Sequence, residues 1–148
     1  MTLKERFVFD MKTAMKVQDK SGLAVIRMVR AAILQIEKDQ LRELSDEDVL
    51  QVLMKEVKQR RDVIEEVGNL RPEYAASLAE EITILMKYLP QQLTEQEIRE
   101  IVFQAVEQTG ATGTKDTGKV MSCIMPLVKG KADGKIVSQM VKEVLLSL

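Results

Sequence analysis

The stretch Tyr88-Leu89-Pro90-Gln91-Gln92-Leu93-Thr94, with Glu97 just beyond it, decides how this chain is organised. Leu89 ends a helical series of apolar residues. Pro90 forbids its continuation, because proline lacks an N–H and clashes with the preceding turn. Thr94 and Glu97 then have the capping-box spacing that opens a new helix. The break is too short and too apolar for a loose linker. It predicts two helical modules, residues 1–92 and 93–148, joined with some rigidity.

Upstream of the break, Leu78, Ile82 and Leu85 recur at helical spacing behind Pro72, a residue suited to a first helical position, so a fourth helix runs from there to Leu89. Gly68-Asn69 supplies a left-handed stop for a third helix carrying Val49, Leu50, Leu53, Val57, Ile64 and Val67. That helix opens on the capping box of Ser45 and Asp48, where Asp46 and Glu47 favour the dipole; the acidic trio reads as a helix start in preference to a metal site. A second helix, after Ser21-Gly22, buries Leu23, Ile26, Val29, Ile33 and Ile36. The first opens on Thr2 and Glu5, carries Leu3, Phe7, Met11, Ala14 and Met15, and stops near Lys20.

Downstream, Ile98, Ile101, Val102, Ala105 and Val106 define a helix closed by Gly110, and residues Ala111 to Thr114 form a loop. Asp116 or Thr117 caps a short helix with Val120, Met121, Ile124 and Met125, which Pro126 should kink or end. Asp133 caps a last helix carrying Ile136, Val137, Met140, Val141, Val144 and Leu145. No segment alternates as a strand does. The expected fold is all-α, a four-helix module followed by a three-helix module, without a sequence repeat between them.

Composition narrows the chemistry. The 148 residues include no histidine, which removes the commonest general base, every His-assisted nucleophile and every zinc site that needs imidazole. Cys123 is the only thiol; it forms no internal disulfide and reads as a small buried hydrophobe rather than a nucleophile. No catalytic residue, cofactor or metal site is expected. With no tryptophan and 3% aromatic residues, nucleic acid would be held by its backbone, not by stacked bases. The 22 basic and 23 acidic residues nearly cancel, so any such contact needs a local patch. The start Met1-Thr2-Leu3-Lys4-Glu5 lacks signal-peptide features and no apolar run is long enough to span a bilayer, so a cytoplasmic protein without a membrane partner is expected.

Two patches qualify. Between Lys115 and Lys135, five lysines face only Asp116 and Asp133, a local surplus of three positive charges. The run Lys129-Gly130-Lys131-Ala132-Asp133-Gly134-Lys135 reads as a turn whose glycines allow close approach and whose following helix offers N–H groups to an anion. It fits a phosphate contact and an ordinary solvated connection equally, and it is neither a P-loop nor a dinucleotide fingerprint. A secondary cluster, Lys55, Lys58, Arg60 and Arg61, sits among acids at pairing distance, Lys58 with Asp62 and Arg61 with Glu65. It reads mainly as a solvated helix face, although adjacent arginines also suit a carboxylate or phosphate.

The phrases Lys58-Gln59-Arg60-Arg61-Asp62, Tyr88-Leu89-Pro90-Gln91-Gln92-Leu93, Gly118-Lys119-Val120-Met121, Pro126 and Lys129 to Lys135 together resemble the YqeY family of small bacterial proteins, across essentially the whole chain. The same unit resembles the tail of GatB, a subunit of the tRNA-dependent amidotransferase, and an appendage of some glutaminyl-tRNA synthetases. In those proteins the tail contacts the body of the tRNA while activation and ammonia production lie in other domains. The resemblance therefore implies tRNA binding without amide transfer, through Lys119, Lys129, Gly130, Lys131, Gly134 and Lys135. Thr117, Ser122 and Leu127 stand where the family often has Met, Gly and Lys. The expectation is a tRNA-binding accessory protein, with a translation-related protein as a further partner. A protein–protein adaptor is the alternative, and a component of glutamine-dependent amidotransferase activity the remote one.

Overall fold

In the computed structural model, which describes residues Met1–Leu148, all regular structure is helical: seven α-helices and one 3-10 turn, with no strand. The chain divides into two compact units, Met1–Pro90 and Gln91–Leu148. The first contains α1 (Leu3–Lys16), α2 (Lys20–Gln40), α3 (Asp46–Val67) and α4 (Pro72–Met86). The second contains α5 (Glu95–Thr109), the 3-10 turn (Thr114–Asp116), α6 (Thr117–Val128) and α7 (Gly134–Leu146). No helix is long and apolar enough to cross a membrane.

Side-chain caps set the helix starts. Thr2, Ser45 and Thr94 each accept from the backbone N–H three residues on, and Glu5, Asp48 and Glu97 bond back, completing three capping boxes. Each such cap contributes about 1 kcal/mol by satisfying N–H groups the helix cannot. Asp48 does most: its carboxylate takes Arg42 Nη1 at 2.9 Å and both the N–H and hydroxyl of Ser45 at 3.0 Å. The Arg42 hydrogen bond, then those from Ser45, hold this carboxyl far below the usual range. Pro72 occupies the start of α4 as its fixed φ allows.

Several boundaries differ from expectation. The α1–α2 break falls at Val17-Gln18-Asp19, with Gln18 at φ 57°, and Ser21-Gly22 lie inside the first turn of α2 because Asp19 caps it through the Gly22 N–H at 3.0 Å. Gly68 is right-handed, φ −57°, so α3 closes through a turn in which Leu70 and Arg71 both donate to the Val67 carbonyl. The left-handed stop belongs instead to Leu41, at the end of α2. α4 ends at Met86 rather than Leu89, and the turn after it points Tyr88 inward. Pro126 does not end α6, which continues to Val128; its missing N–H costs one bond near a terminus already due to fray.

Each unit buries its own apolar stripe. In the first, α1 packs on α2 and α3 on α4 around Phe7, Val25, Val29, Val49, Leu53 and Leu85, all essentially solvent-free. Tyr88 closes this core: its ring lies 4.5 Å from that of Phe7, its hydroxyl donates to Asp10, and the Arg6 guanidinium sits 4.6 Å above its ring. Burial, then the Asp10 bond, push the tyrosine hydroxyl well above its ordinary pKa. In the second unit, Ile98, Val102 and Val106 of α5 meet Val120, Ile124 and Val128 of α6, and Val137, Val141 and Val144 of α7 complete the cluster. Three- and four-residue spacing keeps each set on one helix face.

Two outcomes follow from this architecture. A fragment of residues 91–148 should be helical by circular dichroism and melt cooperatively by itself, although about 60 residues is near the size limit for unaided folding; a disordered fragment would show that its core needs the first unit. Because the folded Asp48 carboxyl binds a proton less readily than in the unfolded chain, its stabilisation is complete at neutral pH and is lost progressively as pH falls below about 4. Melting temperatures of the wild type and Asp48→Ala should therefore differ at pH 7 and converge towards pH 2.

Candidate nucleic-acid interface

The lysine turn is built by the end of one helix and the start of the next. Lys129 leaves helical geometry with ψ 121°, and Gly130 takes φ 78°, the left-handed conformation that favours glycine. The Val128 carbonyl, orphaned by the helix end, accepts from the N–H groups of Lys131 at 2.9 Å and Ala132 at 3.1 Å. Asp133 then caps α7 through the Lys135 N–H at 2.9 Å. From the other side, Gln92 Nε2 donates to the Gly130 carbonyl at 3.0 Å and the Leu93 N–H to the Lys131 carbonyl at 2.9 Å. Gln92 and Leu93, which straddle the expected module boundary, thus both hold the second unit.

This clamping sorts the expected residues. Lys129 and Lys131 are exposed on the turn, and Lys135 is exposed in the first turn of α7 that follows it. Gly130 is buried beneath it, so its glycine serves the backbone and not a ligand. Gly134 is exposed, with open space where a Cβ would stand, and is the place where a ligand can come close to the backbone. Lys119 lies elsewhere: it sits in the first turn of α6, ten residues and so about 15 Å along the axis from Lys129. Its neighbours are Lys115 and Asp116, whose carboxyl is held low first by the Thr112 N–H and then by those two lysines. Asp133 places one carboxylate inside the turn, and exposed Met125, Leu127 and Ile136 flank it.

The secondary cluster separates as well. Residues two apart on a 3.6-residue helix point to nearly opposite sides. Lys55, Lys58 and Arg61 share the outer face of α3, with Lys58 4.0 Å from Asp62 and their side chains 42% and 65% exposed. Arg60 faces inward, 8% exposed. It bonds Glu56 at 2.8 Å, the Met28 thioether at 3.0 Å and lies 3.6 Å from Glu81, tying α3 to α2 and α4; its Nε is buried without a partner. Arg60 is therefore corrected from a surface cation to an internal ion-pair centre. Cys123 is half-buried against the second core, its thiol 3.7 Å from Gln108 Oε1.

A family model for Yqey-like proteins matches residues 4–145. The chain belongs to this family. It is also 30% identical over 144 residues, 95% of this chain and 79% of the relative, to a protein of Pyrenophora tritici-repentis (strain Pt-1C-BFP) described as altered inheritance of mitochondria protein 41, mitochondrial. Within this YqeY-like chain, the family phrases divide by role: Tyr88 and Arg60 are core anchors, whereas the lysines of the turn are exposed.

Sequence reading missed a feature of the first unit, an open cleft of about 150 Å³ on the α1–α2 seam beside Lys4, Arg30 and Glu37. Its one local signal is Leu34, an apolar residue that is 59% exposed on a helix otherwise well ordered by polarity.

The contrast between adjacent arginines is directly measurable. Arg60→Ala leaves Glu56 facing an uncompensated, largely buried site and should cost on the order of 2–3 kcal/mol in denaturant unfolding. Arg61→Ala should move stability by no more than about half a kcal/mol.

Proposed function

We propose that this YqeY-like chain is a tRNA-binding accessory protein of the cytoplasm with no catalysis of its own. A C-terminal three-helix module touches phosphates, and an N-terminal four-helix module recruits a protein partner. The observation that carries this reading is the trio Lys129, Lys131 and Lys135, exposed on a turn clamped by Gln92 and Leu93 and on the helix start that follows it. A clamped backbone presents the lysines from set positions and leaves only side-chain ordering to be overcome on binding, which suits a repeating phosphate backbone. The resemblance to the GatB tail supports the same ligand. Nothing in the residue set supplies a nucleophile–base pair, so a part in amide transfer would be that of a helper to another protein's active site.

A protein–protein adaptor is the second reading. The cleft on the α1–α2 seam favours it, because Phe7, Val8, Ile33 and Leu34 in its lining offer an apolar surface that a phosphate backbone would leave unfilled.

Counterion release gives the test. Each phosphate contact adds about 0.9 to the slope of log affinity against log salt on a duplex, so changing Lys129, Lys131 and Lys135 to Gln should flatten that slope by roughly 2–3 and weaken different tRNAs alike. The control changes Lys55, Lys58 and Arg61 to Gln; if that control abolishes binding while the turn variant binds normally at every salt concentration, the site lies on α3. With Tyr74 and Tyr88 as its only strong chromophores, the protein absorbs weakly at 280 nm, so co-purifying RNA should dominate the spectrum of a low-salt preparation. A clean protein spectrum favours the adaptor. Formation of Gln-tRNA from Glu-tRNA, glutamine and ATP by this chain alone would overturn the non-catalytic reading.

A further inference from the structure

The cleft on the α1–α2 seam has a composition that neither solvent nor nucleic acid explains. Its floor is Phe7, and its walls are Val8, Ile33 and Leu34. A void of about 150 Å³ admits a benzene-sized group, so it takes one Leu or Phe side chain. At one end Lys4 and Glu37 pair at 2.7 Å, and Glu37 also accepts from the Leu44 N–H at 2.8 Å. Those two charges answer each other.

Arg30, at the cleft's edge, is different. Its guanidinium meets only the Met11 thioether, at 3.3 Å, a weak acceptor that leaves the positive charge uncompensated. One turn earlier on the same helix face, Arg27 is exposed and joins no ion pair, and Lys12 of α1 is likewise exposed and unpaired. Along the seam, Met15 and Leu34 are 52% and 59% exposed. The surface is therefore an apolar strip with one pocket, bordered by three cations that lack carboxylates.

We propose that the α1–α2 seam is a docking groove for an acidic amphipathic helix of a partner protein, whose apolar anchor enters the cleft over Phe7 while its carboxylates pair with Arg30 and Arg27. Helix-in-groove recognition needs this combination: a pocket for an anchor and fixed charge beside it. Charge complementarity selects the occupant, because an uncharged helix would leave Arg30 desolvated beside a thioether. An RNA strand would bring phosphates but nothing to fill an apolar pocket lined by branched side chains. The proposal deepens the recruiting role given above to the N-terminal helices and rests on it.

The test uses the full chain and a fluorescein-labelled helical peptide with Leu at i, i+3, i+4 and i+7 on one face and Glu on both borders. Saturable binding is expected, weakened at least tenfold by Leu34→Glu and by Arg30→Gln, and weakened similarly when the peptide's Glu residues are replaced by Gln. Leu34 is exposed, so its variant should melt like the wild type and keep the experiment readable even if Arg30→Gln loosens Met11. Absence of binding, or equal binding by the wild type and both variants, overturns the proposal. Binding to phosphatidylglycerol vesicles that both variants abolish would assign the surface to lipid and also overturn it. tRNA affinity of the wild type separates the readings: a wild-type chain that binds tRNA but not the peptide removes the groove alone, and one that binds the peptide but not tRNA removes the lysine turn alone.

Discussion

Burial of one apolar stripe per helix is the constraint on which the rest of this protein depends. Valine, isoleucine and leucine at three- and four-residue spacing supply nearly all of both cores, and each side chain fully removed from water contributes about 1.5–3 kcal/mol. Surface ion pairs such as Lys58 with Asp62 contribute a few tenths at most. The apolar stripes therefore decide which faces turn inward, and the charges take the faces left over.

Polar contacts act on this framework by locking particular segments. Tyr88 reaches Asp10 beneath Arg6, which fastens the end of the first unit to its first helix. Arg60 joins three helices through Glu56, Met28 and Glu81, a buried charge that is tolerable only because its partners surround it. Gln92 and Leu93 fasten the turn between α6 and α7 by its carbonyls, which leaves the lysine side chains of that turn directed outward. Three of the phrases that mark the family are thus explained by structure before function is invoked.

The two surfaces of interest differ in physical character. The turn is cationic with one internal carboxylate and an apolar flank, a mixture suited to a shallow backbone contact rather than to deep readout of bases. The α1–α2 seam offers a pocket and unanswered guanidinium groups. A chain of net charge −1 can thus present local positive fields wherever cations outnumber carboxylates along the sequence, as they do from Lys115 to Lys135.

What the chain declares locally is its helix starts and its class. Thr2, Ser45, Thr94, Asp133 and Pro72 act within one turn of themselves, and an apolar stripe is a property of consecutive residues, so these are legible in order along the sequence. Gly110 at the end of α5 is of the same kind, a left-handed cap whose requirement is local. Helix ends depend more on what lies beyond them. Gly68 keeps right-handed geometry, Leu41 adopts the left-handed one without being glycine, and α6 runs through Pro126, because the packing of the whole helix outweighs a residue's preference worth about 1–3 kcal/mol. The candidate sites were only half legible. Clusters of lysine and arginine stand out in a sequence, but whether members meet depends on helix phase and length: phase turns Arg60 inward, away from Arg61, and the length of α6 parts Lys119 from Lys129. The cleft beside Arg30 left still less trace, since it joins residues from two helices, and only their packing brings an unanswered charge to the edge of an apolar hollow.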